Sequence, residues 1–539
     1  MREIMGNEKR ESHLVWRGAA ILTGAALLVK IMSALYRLPY QNFAGDVGFY
    51  VYQQVYPFYA LAVALGSTGF PIVISKYMAE AGERHDAKVD VQRHALIALL
   101  LICGFFFAAL FIFAQPLAAL IGDQHLAALI RIAASAYLFV PIVALLRGTF
   151  QGDKENMLPT ALSQIGEQVT RVCFILGLSW YLFLNHGDAY AFGLVATSGS
   201  AFAPLVTLII LILFLPRKKQ FAYELFSRSD VAINWRMVKT LITAGCLFSI
   251  LAVPLLSFQL IDSLTVLRLL GKMHLADPRA EKGIYDRAYI LTQFGMIASA
   301  SLTVAMVPRL AQLAALRKHY EFQMEATLSI KVSVAFGAAA AAGLMMISRE
   351  VNIMLFRNAD GTAAFAIASF TMLTLSIILT ASGILEANGK PWVPFYFLVL
   401  GSCVKGAANY FLIPHFAIVG AALGTCLGTA AAAVMSLVYL HRHALTERLP
   451  WRAVVKLGIA LSGMAASVSL WKRIISRFTD PLSARPAASV LALSGAVVGG
   501  VVFIVILYMV RFLNKHDLKR LPIRRKKKHS AASARSRKL

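Results

Sequence analysis

Apolar stretches of about 20 residues, separated by short charged segments, recur along the whole chain. A helix of roughly 20 residues spans the hydrocarbon core of a bilayer, because each residue adds about 1.5 Å. The pattern therefore predicts an all-α polytopic membrane protein with about fourteen transmembrane helices. These spans are expected near residues 18–38, 54–75, 94–114, 131–150, 160–184, 189–215, 240–262, 288–308, 328–347, 363–385, 392–413, 417–439, 454–471 and 487–510.

The composition agrees with this interpretation, since 58% of the 539 residues are hydrophobic. The first apolar stretch has no small-residue cleavage site after it and is followed by many others, which indicates a membrane helix rather than a cleavable signal. A porin-type barrel is excluded, because its segments would alternate in polarity over about ten residues. The five cysteines are scattered through apolar stretches without paired spacing. We expect them to be small core residues rather than disulfides or metal ligands.

The formal net charge of +26 could suggest a nucleic-acid binder, but the positions of the basic residues along the chain indicate a membrane topology instead. Most of the 53 Lys and Arg residues fall in alternate loops and near the two ends of the chain. The positive-inside rule then predicts a multi-pass cell-membrane protein with both termini in the cytoplasm. Residues 513–539 are basic and lack apolar periodicity, so we expect a disordered tail that contacts anionic lipid. We expect no nucleic-acid partner, and the oligomeric state is left open.

An internal repeat appears when the chain is shifted against itself by 235 residues. The matches include Gly48 with Gly283, Tyr50 with Tyr285, Gly148 with Gly383, Pro159 with Pro394 and Gly166 with Gly401. Each repeat holds six spans, an even number, so both begin on the same side of the membrane. We predict an N-lobe over 1–215 and a C-lobe over 216–439, with a binding site between them and alternating access. Residues 440–512 form a two-helix appendage outside the repeat.

Six basic side chains are placed by this topology near the midplane or near the outer ends of spans: Lys30, Arg37, Arg171, Arg268, Arg287 and Lys405. Lys30, Arg171 and Lys405 are near the midplane, about 12 residues from the cytoplasmic ends of their spans. A cation in hydrocarbon costs at least ~3 kcal/mol on insertion scales, so we expect these side chains to face a polar cavity. Few acids accompany them. A cationic cavity suits a substrate that carries phosphate or another strong anion.

Each of these charges also has a purely structural interpretation. Glu167 and Arg171 are four residues apart on one helix and could neutralise each other. Arg37, Arg268 and Arg287 are close enough to the outer ends of their spans to snorkel to lipid headgroups. The sequence contains no P-loop, zinc-protease or serine-hydrolase signature, so we expect no enzymatic activity, no cofactor and no metal site. Transport would then draw on an ion gradient, the membrane potential or consumption of the substrate.

Four stretches carry a resemblance to a known family: LLVKIMSALYRLPY, GFYVYQQVYPF, GSTGFPIVISKYMAE and GIYDRAYILTQFGMIASASLTVAMVPRLAQ. They resemble the multidrug/oligosaccharidyl-lipid/polysaccharide (MOP) exporter superfamily. The nearest branch is the polysaccharide transporters, which include stage V sporulation protein B and the MurJ-type lipid II flippases. The resemblance implies a flippase for a lipid-linked glycan, in vegetative or sporulating cells. It also implies that Asp286 and Arg287 begin span eight and that Lys30, Arg37 and Arg287 hold the lipid pyrophosphate.

Three functions are compatible with these observations. The first is a flippase that moves a polyprenyl-pyrophosphate-linked saccharide, such as lipid II, across the membrane. The second is a multidrug or cation antiporter, which would need a membrane-buried acid that span one lacks. The third is a non-transporting scaffold for cell-wall or spore assembly, which would leave the buried cations unexplained. We favour the flippase, with the substrate-binding candidates Lys30, Arg37, Arg171, Arg268, Asp286, Arg287 and Lys405.

Overall fold

The computed structural model describes residues 18, 21–82, 84–152, 157–215, 233–447, 450–479 and 483–513. Within these ranges every regular element is a helix, which confirms the predicted all-α membrane fold. Eleven helical stretches of the described chain are long and apolar enough to cross a membrane. Two of them, Ile21–Ala81 and Trp392–Arg442, have 61 and 51 residues and so exceed the length of one crossing. The number of fourteen crossings stays a prediction.

The helices are numbered here in chain order. Up to residue 270 they are α1 (21–35), α2 (Arg37–Ala64), α3 (Phe70–Ala81), α4 (His85–Ile112), α5 (Ala114–Ile121), α6 (Leu126–Gly152), α7 (Leu158–Leu184), α8 (Ala189–Phe214), α9 (Trp235–Ala252) and α10 (Pro254–Leu270). They continue as α11 (Pro278–Ala315), α12 (His319–Met346), α13 (Ser348–Phe356), α14 (Thr362–Ala368), α15 (Thr371–Ala387), α16 (Trp392–Arg442), α17 (Trp451–Thr479) and α18 (Ala484–Met509). A π-helical turn, Leu65–Gly69, joins α2 to α3.

The chain divides into two compact units. The first contains the described residues up to Ile290 together with Lys405–Ala421. The second contains Leu291–Val404 and the described residues from Ala422 onward. Helices α11 and α16 therefore contribute residues to both units. The predicted lobe boundaries stay predictions, and the predicted basic tail lies, apart from residue 513, outside the described residues.

The first unit is built around α2, which packs against α6 and α8. Its core includes Tyr50, Val55 and Tyr59, all almost completely buried. Within α2, Gly45 has a φ of +68°, a conformation that favours glycine, and the helix is kinked there. The kink separates a short segment, which begins at Arg37, from the longer segment that carries the core residues.

The predicted span 240–262 is interrupted in the structure at Val253. Helix α9 ends at Ala252 and α10 begins at Pro254. Proline has no N–H to donate, and it is favoured at the first position of a helix, where that donor would have no partner. Val253, between the two helices, has a φ of −135° and lies outside the helical range.

The second unit contains the helices that follow residue 290, apart from the 405–421 segment. Helix α12 packs against α15, and α17 packs against α18. Lys472 of α17 pairs with Glu350 of α13 at 2.7 Å and also donates to the carbonyl oxygen of Met346. These polar contacts connect α17 to the last residue of α12 and to α13.

Candidate functional site

Four tyrosines lie together along the first part of the chain. Tyr52, Tyr56 and Tyr59 share one face of α2, because residues separated by three or four positions are neighbours on a helix. The Tyr36 hydroxyl lies 2.6 Å from the Tyr52 hydroxyl. The ring centroids of Tyr52 and Tyr56 are 5.9 Å apart, and those of Tyr56 and Tyr59 are 6.4 Å apart. We call these four residues the tyrosine row.

Arg37 is buried against the tyrosine row. Its side chain is 0% exposed, and its guanidinium carbon lies 4.2 Å from the centroid of the Tyr56 ring. Among the residues that the structure describes, none of its three guanidinium nitrogens has a hydrogen-bond partner of normal geometry. An unpartnered buried cation is costly, because a cation–π contact replaces only part of the lost hydration. The predicted snorkelling of Arg37 to lipid headgroups is therefore wrong.

Arg171, on α7, approaches the other end of the same row. Its Nη1 atom donates to the Tyr59 hydroxyl at 2.9 Å, and its Nη2 atom donates to Gln168. The guanidinium carbon of Arg171 also lies 5.5 Å from the centroid of the Tyr59 ring. In the described part of the chain neither arginine forms an ion pair with an acid. The tyrosine row thus contacts two buried positive charges that no described acid balances.

Glu167 does not neutralise Arg171, so that structural alternative is wrong. Its carboxylate instead accepts from Nη2 of Arg147, on the neighbouring helix α6, at 2.8 Å. Thr207 donates to the same oxygen at 3.2 Å. Arg147 also donates to Ser67 at 2.7 Å, in the π-helical turn. Glu167, the acid predicted to neutralise Arg171, is therefore already paired with Arg147, which comes from another helix.

Lys30 and Arg268 both remain exposed. Lys30 lies on α1, and its ammonium forms no ion pair or hydrogen bond with any of the described residues. Arg268 lies in the last turn of α10, where a cation interacts favourably with the carboxyl end of the helix. The structure therefore leaves Lys30 available for a ligand and gives Arg268 a capping position.

Arg287 is held by Asp46 rather than free for a ligand. Its side chain is 1% exposed, and its Nε atom donates to Oδ1 of Asp46 at 3.0 Å. Asp46 directly follows the kink at Gly45 and also accepts from Gln41 at 2.9 Å. Snorkelling of Arg287 to headgroups, offered as a structural alternative, is wrong because the guanidinium is buried. Asp46, next to the kink in α2, therefore supplies the counter-charge of Arg287.

Lys405 and Asp286 both belong to buried ion pairs. Nζ of Lys405 lies 2.7 Å from a carboxylate oxygen of Asp262, and both side chains are almost fully buried. Asp286 accepts from Lys282, one helical turn before it, at 2.5 Å. The expectation that Lys405 faces an open polar cavity is therefore wrong. Sequence spacing could not reveal its partner, because Asp262 lies on α10 and Lys405 lies on α16.

Several side chains of the site were missed as candidates from sequence. The tyrosine row carries a readable signal, since Tyr52, Tyr56 and Tyr59 recur at helical spacing and Tyr36 directly precedes Arg37 in sequence. Asp46 and Arg147 carry no such signal, because each meets its partner from a different helix. Among the described residues, Arg37 and Arg171 thus have no acid partner, whereas four other buried cations are paired with acids: Arg147, Lys282, Arg287 and Lys405.

The chain is similar to known proteins over most of its length. The family described as "Polysaccharide biosynthesis protein" matches residues 15–314. An uncharacterized membrane protein of Bacillus subtilis (strain 168), YabM, is 37% identical over 514 residues, covering 95% of each chain. The lipid II flippase MurJ of the same organism is 24% identical over 536 residues, covering 94% of this chain and 97% of MurJ. Stage V sporulation protein B of that organism is also 24% identical, over 526 residues.

Solved structures with the same fold include two transporters. A lipid II flippase MurJ in an inward closed conformation matches with a TM-score of 0.62 at 13% identity, covering 93% of this chain and 100% of that one. A multidrug resistance MATE transporter of the MOP superfamily matches with a TM-score of 0.57 at 15% identity, covering 78% and 98%. These likenesses establish the fold. The chain belongs to the family described as "Polysaccharide biosynthesis protein".

Proposed function

We propose that this protein moves a polyprenyl-pyrophosphate-linked saccharide, a cell-wall or polysaccharide precursor, across the cell membrane by alternating access. The observation that carries the proposal is the pair of unbalanced cations on the tyrosine row. Arg37 and Arg171 are both buried, the acid nearest to Arg37 in sequence, Asp46, is paired with Arg287, and the acid nearest to Arg171, Glu167, is paired with Arg147. A doubly charged pyrophosphate would provide the missing counter-charge and accept the free guanidinium hydrogens.

The tyrosine row adds the chemistry that such a headgroup needs. Tyrosine hydroxyls donate to phosphate oxygens, and their rings stabilise a neighbouring guanidinium while the site is empty. The hydroxyl of Tyr36 is already within hydrogen-bond distance of Tyr52, and that of Tyr59 is with Arg171. A headgroup entering here would exchange tyrosine contacts for phosphate contacts. That exchange keeps binding moderate, which transport requires because the substrate must also leave.

Two further predicted residues receive different roles in this proposal. Lys30, exposed on α1, would make the first contact with the anionic headgroup. Arg287 would become available only after its ion pair with Asp46 opens. We therefore assign Arg287 to a gate at the kink of α2 and Arg37 to the binding position. The precursor's glycan is left open, and lipid II is one member of the class.

The other two functions are less well supported. A cation antiporter would need a membrane-buried acid that is free to exchange ions, and Glu167 is held by Arg147 and Thr207. A scaffold would not require buried arginines without acid partners, because apolar residues at those positions would make the folded protein more stable. The relatives named flippase and sporulation protein support transport of an envelope precursor, though each name describes that relative.

The test is a leaflet-accessibility assay in cells depleted of this protein, with labelled polyprenyl-linked precursors. We expect a precursor to accumulate on the cytoplasmic side and to be cleared by wild-type protein but not by Arg37→Met. Lys76→Gln is the matched control, because the Lys76 side chain is 69% exposed and far from the tyrosine row in sequence. An unchanged distribution of every precursor after depletion would contradict the proposal. Full rescue by Arg37→Met at normal abundance would favour the scaffold.

A further inference from the structure

The Lys405 ammonium is enclosed by oxygen atoms from two other helices. Its Nζ atom lies 2.7 Å from Oδ2 of Asp262 and 2.8 Å from the carbonyl oxygen of Phe258, both on α10. The hydroxyl oxygen of Tyr289, on α11, lies 3.0 Å away. An ammonium carries three N–H donors, and these three oxygens use all of them. Lys405 is 0% exposed, so its charge depends on this oxygen shell alone.

Asp262 is equally well enclosed. Its Oδ1 atom accepts from the amide of Asn409 at 3.1 Å, and its Oδ2 atom accepts from the hydroxyls of Tyr285 and Tyr289. The Oδ1 atom of Asn409 has no hydrogen-bond partner among the described residues. One buried carboxylate is thus surrounded by neutral donors and by one cation, the Lys405 ammonium.

The next charged groups along α11 do not change this balance. Lys282 and Asp286 also face the cluster, and they pair with each other at 2.5 Å. Two acids and two cations are therefore buried together with a net charge of zero. Asp262 receives its counter-charge from Lys405, which reaches it from α16.

A carboxylate, a backbone carbonyl and a hydroxyl make an oxygen shell of the kind with which membrane proteins replace the hydration of an alkali cation. We infer that this cluster is a monovalent-cation site that the protein fills itself, with the Lys405 ammonium as a tethered counter-cation. The wild-type protein then takes up no free Na⁺ or K⁺ here. Truncation of the lysine opens a site for Na⁺, K⁺ or a small alkylammonium ion. The inference does not depend on the proposed substrate.

An ordinary structural ion pair would behave differently from a filled cation site. When one partner of an ordinary pair is removed, the other remains buried and unpaired, and the fold is weakened whatever salt is present. In a cation site the vacated oxygen shell binds an ion from solution, and that binding stabilises the fold in proportion to the logarithm of the ion concentration. Removal of the lysine lowers the stability in both cases. Only in a cation site does the stability of the variant depend on which cation is in solution.

The experiment measures the melting temperature of full-length protein in detergent at roughly 100 mM choline, sodium, potassium or propylammonium chloride. We expect wild-type values to agree within about 1 °C across the four salts, and Lys405→Ala to melt at least ~3 °C higher in sodium or propylammonium than in choline. The double variant Asp262→Asn/Lys405→Ala should lose this difference, because the carboxylate is gone. Lys76→Ala is the matched control, because the side chains of the Lys76–Glu80 pair are 69% and 55% exposed and the truncation leaves no buried carboxylate.

Two results would overturn the inference. One is a sodium- or potassium-dependent melting temperature of the wild type that Asp262→Asn abolishes, because the site would then bind free ions despite the lysine. The other is a folded Lys405→Ala protein that melts at the same temperature in all four salts. Failure to obtain folded Lys405→Ala in any of the four salts would also contradict the inference, because a vacated oxygen shell that binds sodium or propylammonium should restore the fold in those salts.

Discussion

The guanidinium of Arg37 lies 4.2 Å from the ring centroid of Tyr56, and no described residue gives it a normal hydrogen bond. A desolvated cation–π contact is worth about 2 kcal/mol, whereas the effective penalty for burying an ion is several kcal/mol. The burial of Arg37 therefore has a cost in stability. Such a cost is typical of a residue kept for binding rather than for folding.

Replacement of Arg37 by methionine should separate stability from binding. Because the apolar side chain removes an unpaired buried charge, we expect Arg37→Met to melt no lower than wild type in detergent. Binding of a polyprenyl pyrophosphate should weaken at least ~10-fold, the loss expected for one charge-assisted hydrogen bond. Thermal melting and a fluorescence binding titration measure the two effects. A variant that is less stable and still binds normally would contradict the assignment.

Glu167 should behave as a structural acid. Glu167→Gln leaves Arg147 buried without its counter-charge, and we expect a loss of roughly 3–5 kcal/mol in the free energy of unfolding. Lys76→Gln, at an exposed pair with Glu80, should change it by less than about 1 kcal/mol. Unfolding in detergent under a denaturant gradient checks both values. If wild-type protein exports cationic dyes and Glu167→Gln stops that export without loss of stability, the antiporter function is favoured instead.

The ion pair between Arg287 and Asp46 should appear as a coupling energy. We expect Arg287→Gln and Asp46→Asn to be less destabilising together than the sum of the single changes, by about 1–3 kcal/mol. A double-mutant cycle on the thermal or chemical unfolding of the four proteins gives this value. Additive effects would indicate that the two side chains do not interact. Arg287 would then have no ion pair with Asp46.

Gly69 should tolerate no side chain. It ends the π-helical turn before α3, and a Cβ there would collide with the backbone of α9, lying 2.8 Å from the backbone nitrogen of Ser249. A Cβ added at Gly66, in the same turn, would lie 3.6 Å from its nearest neighbour, the side chain of Val140. We therefore expect Gly69→Ala to lower the melting temperature strongly and Gly66→Ala to change it little. Equal effects of the two substitutions would contradict this packing of α9 against the turn.

Apolar stretches of bilayer length were enough to predict the helical membrane fold. In the predicted span 240–262 the apolar character continues through a break in the helix just before Pro254. Hydrophobicity cannot detect such a break, because both helices remain apolar on either side of it. The kink at Gly45 was also invisible to hydropathy, and it depends on a single residue with a positive φ.

For the site, the sequence identified the cations but could not tell which of them were free. Arg287 and Lys405 look alike in a sequence, since each is a lone cation in an apolar context. Their acids, Asp46 and Asp262, belong to other helices, and only the packing of those helices brings the charges within 3 Å. Arg37 was predicted for the site on the basis of a resemblance and is buried without a partner. Its role as a ligand stays a proposal.

The most direct test of the account is translocation of a fluorescent polyprenyl-pyrophosphate-linked saccharide in proteoliposomes that contain purified protein. We expect wild type and Lys76→Gln to move the lipid between leaflets at equal rates, and Arg37→Met to be slower by at least ~10-fold at the same protein density. Equal translocation by wild type and Arg37→Met would contradict the central claim that the buried unpaired arginine binds the anionic headgroup.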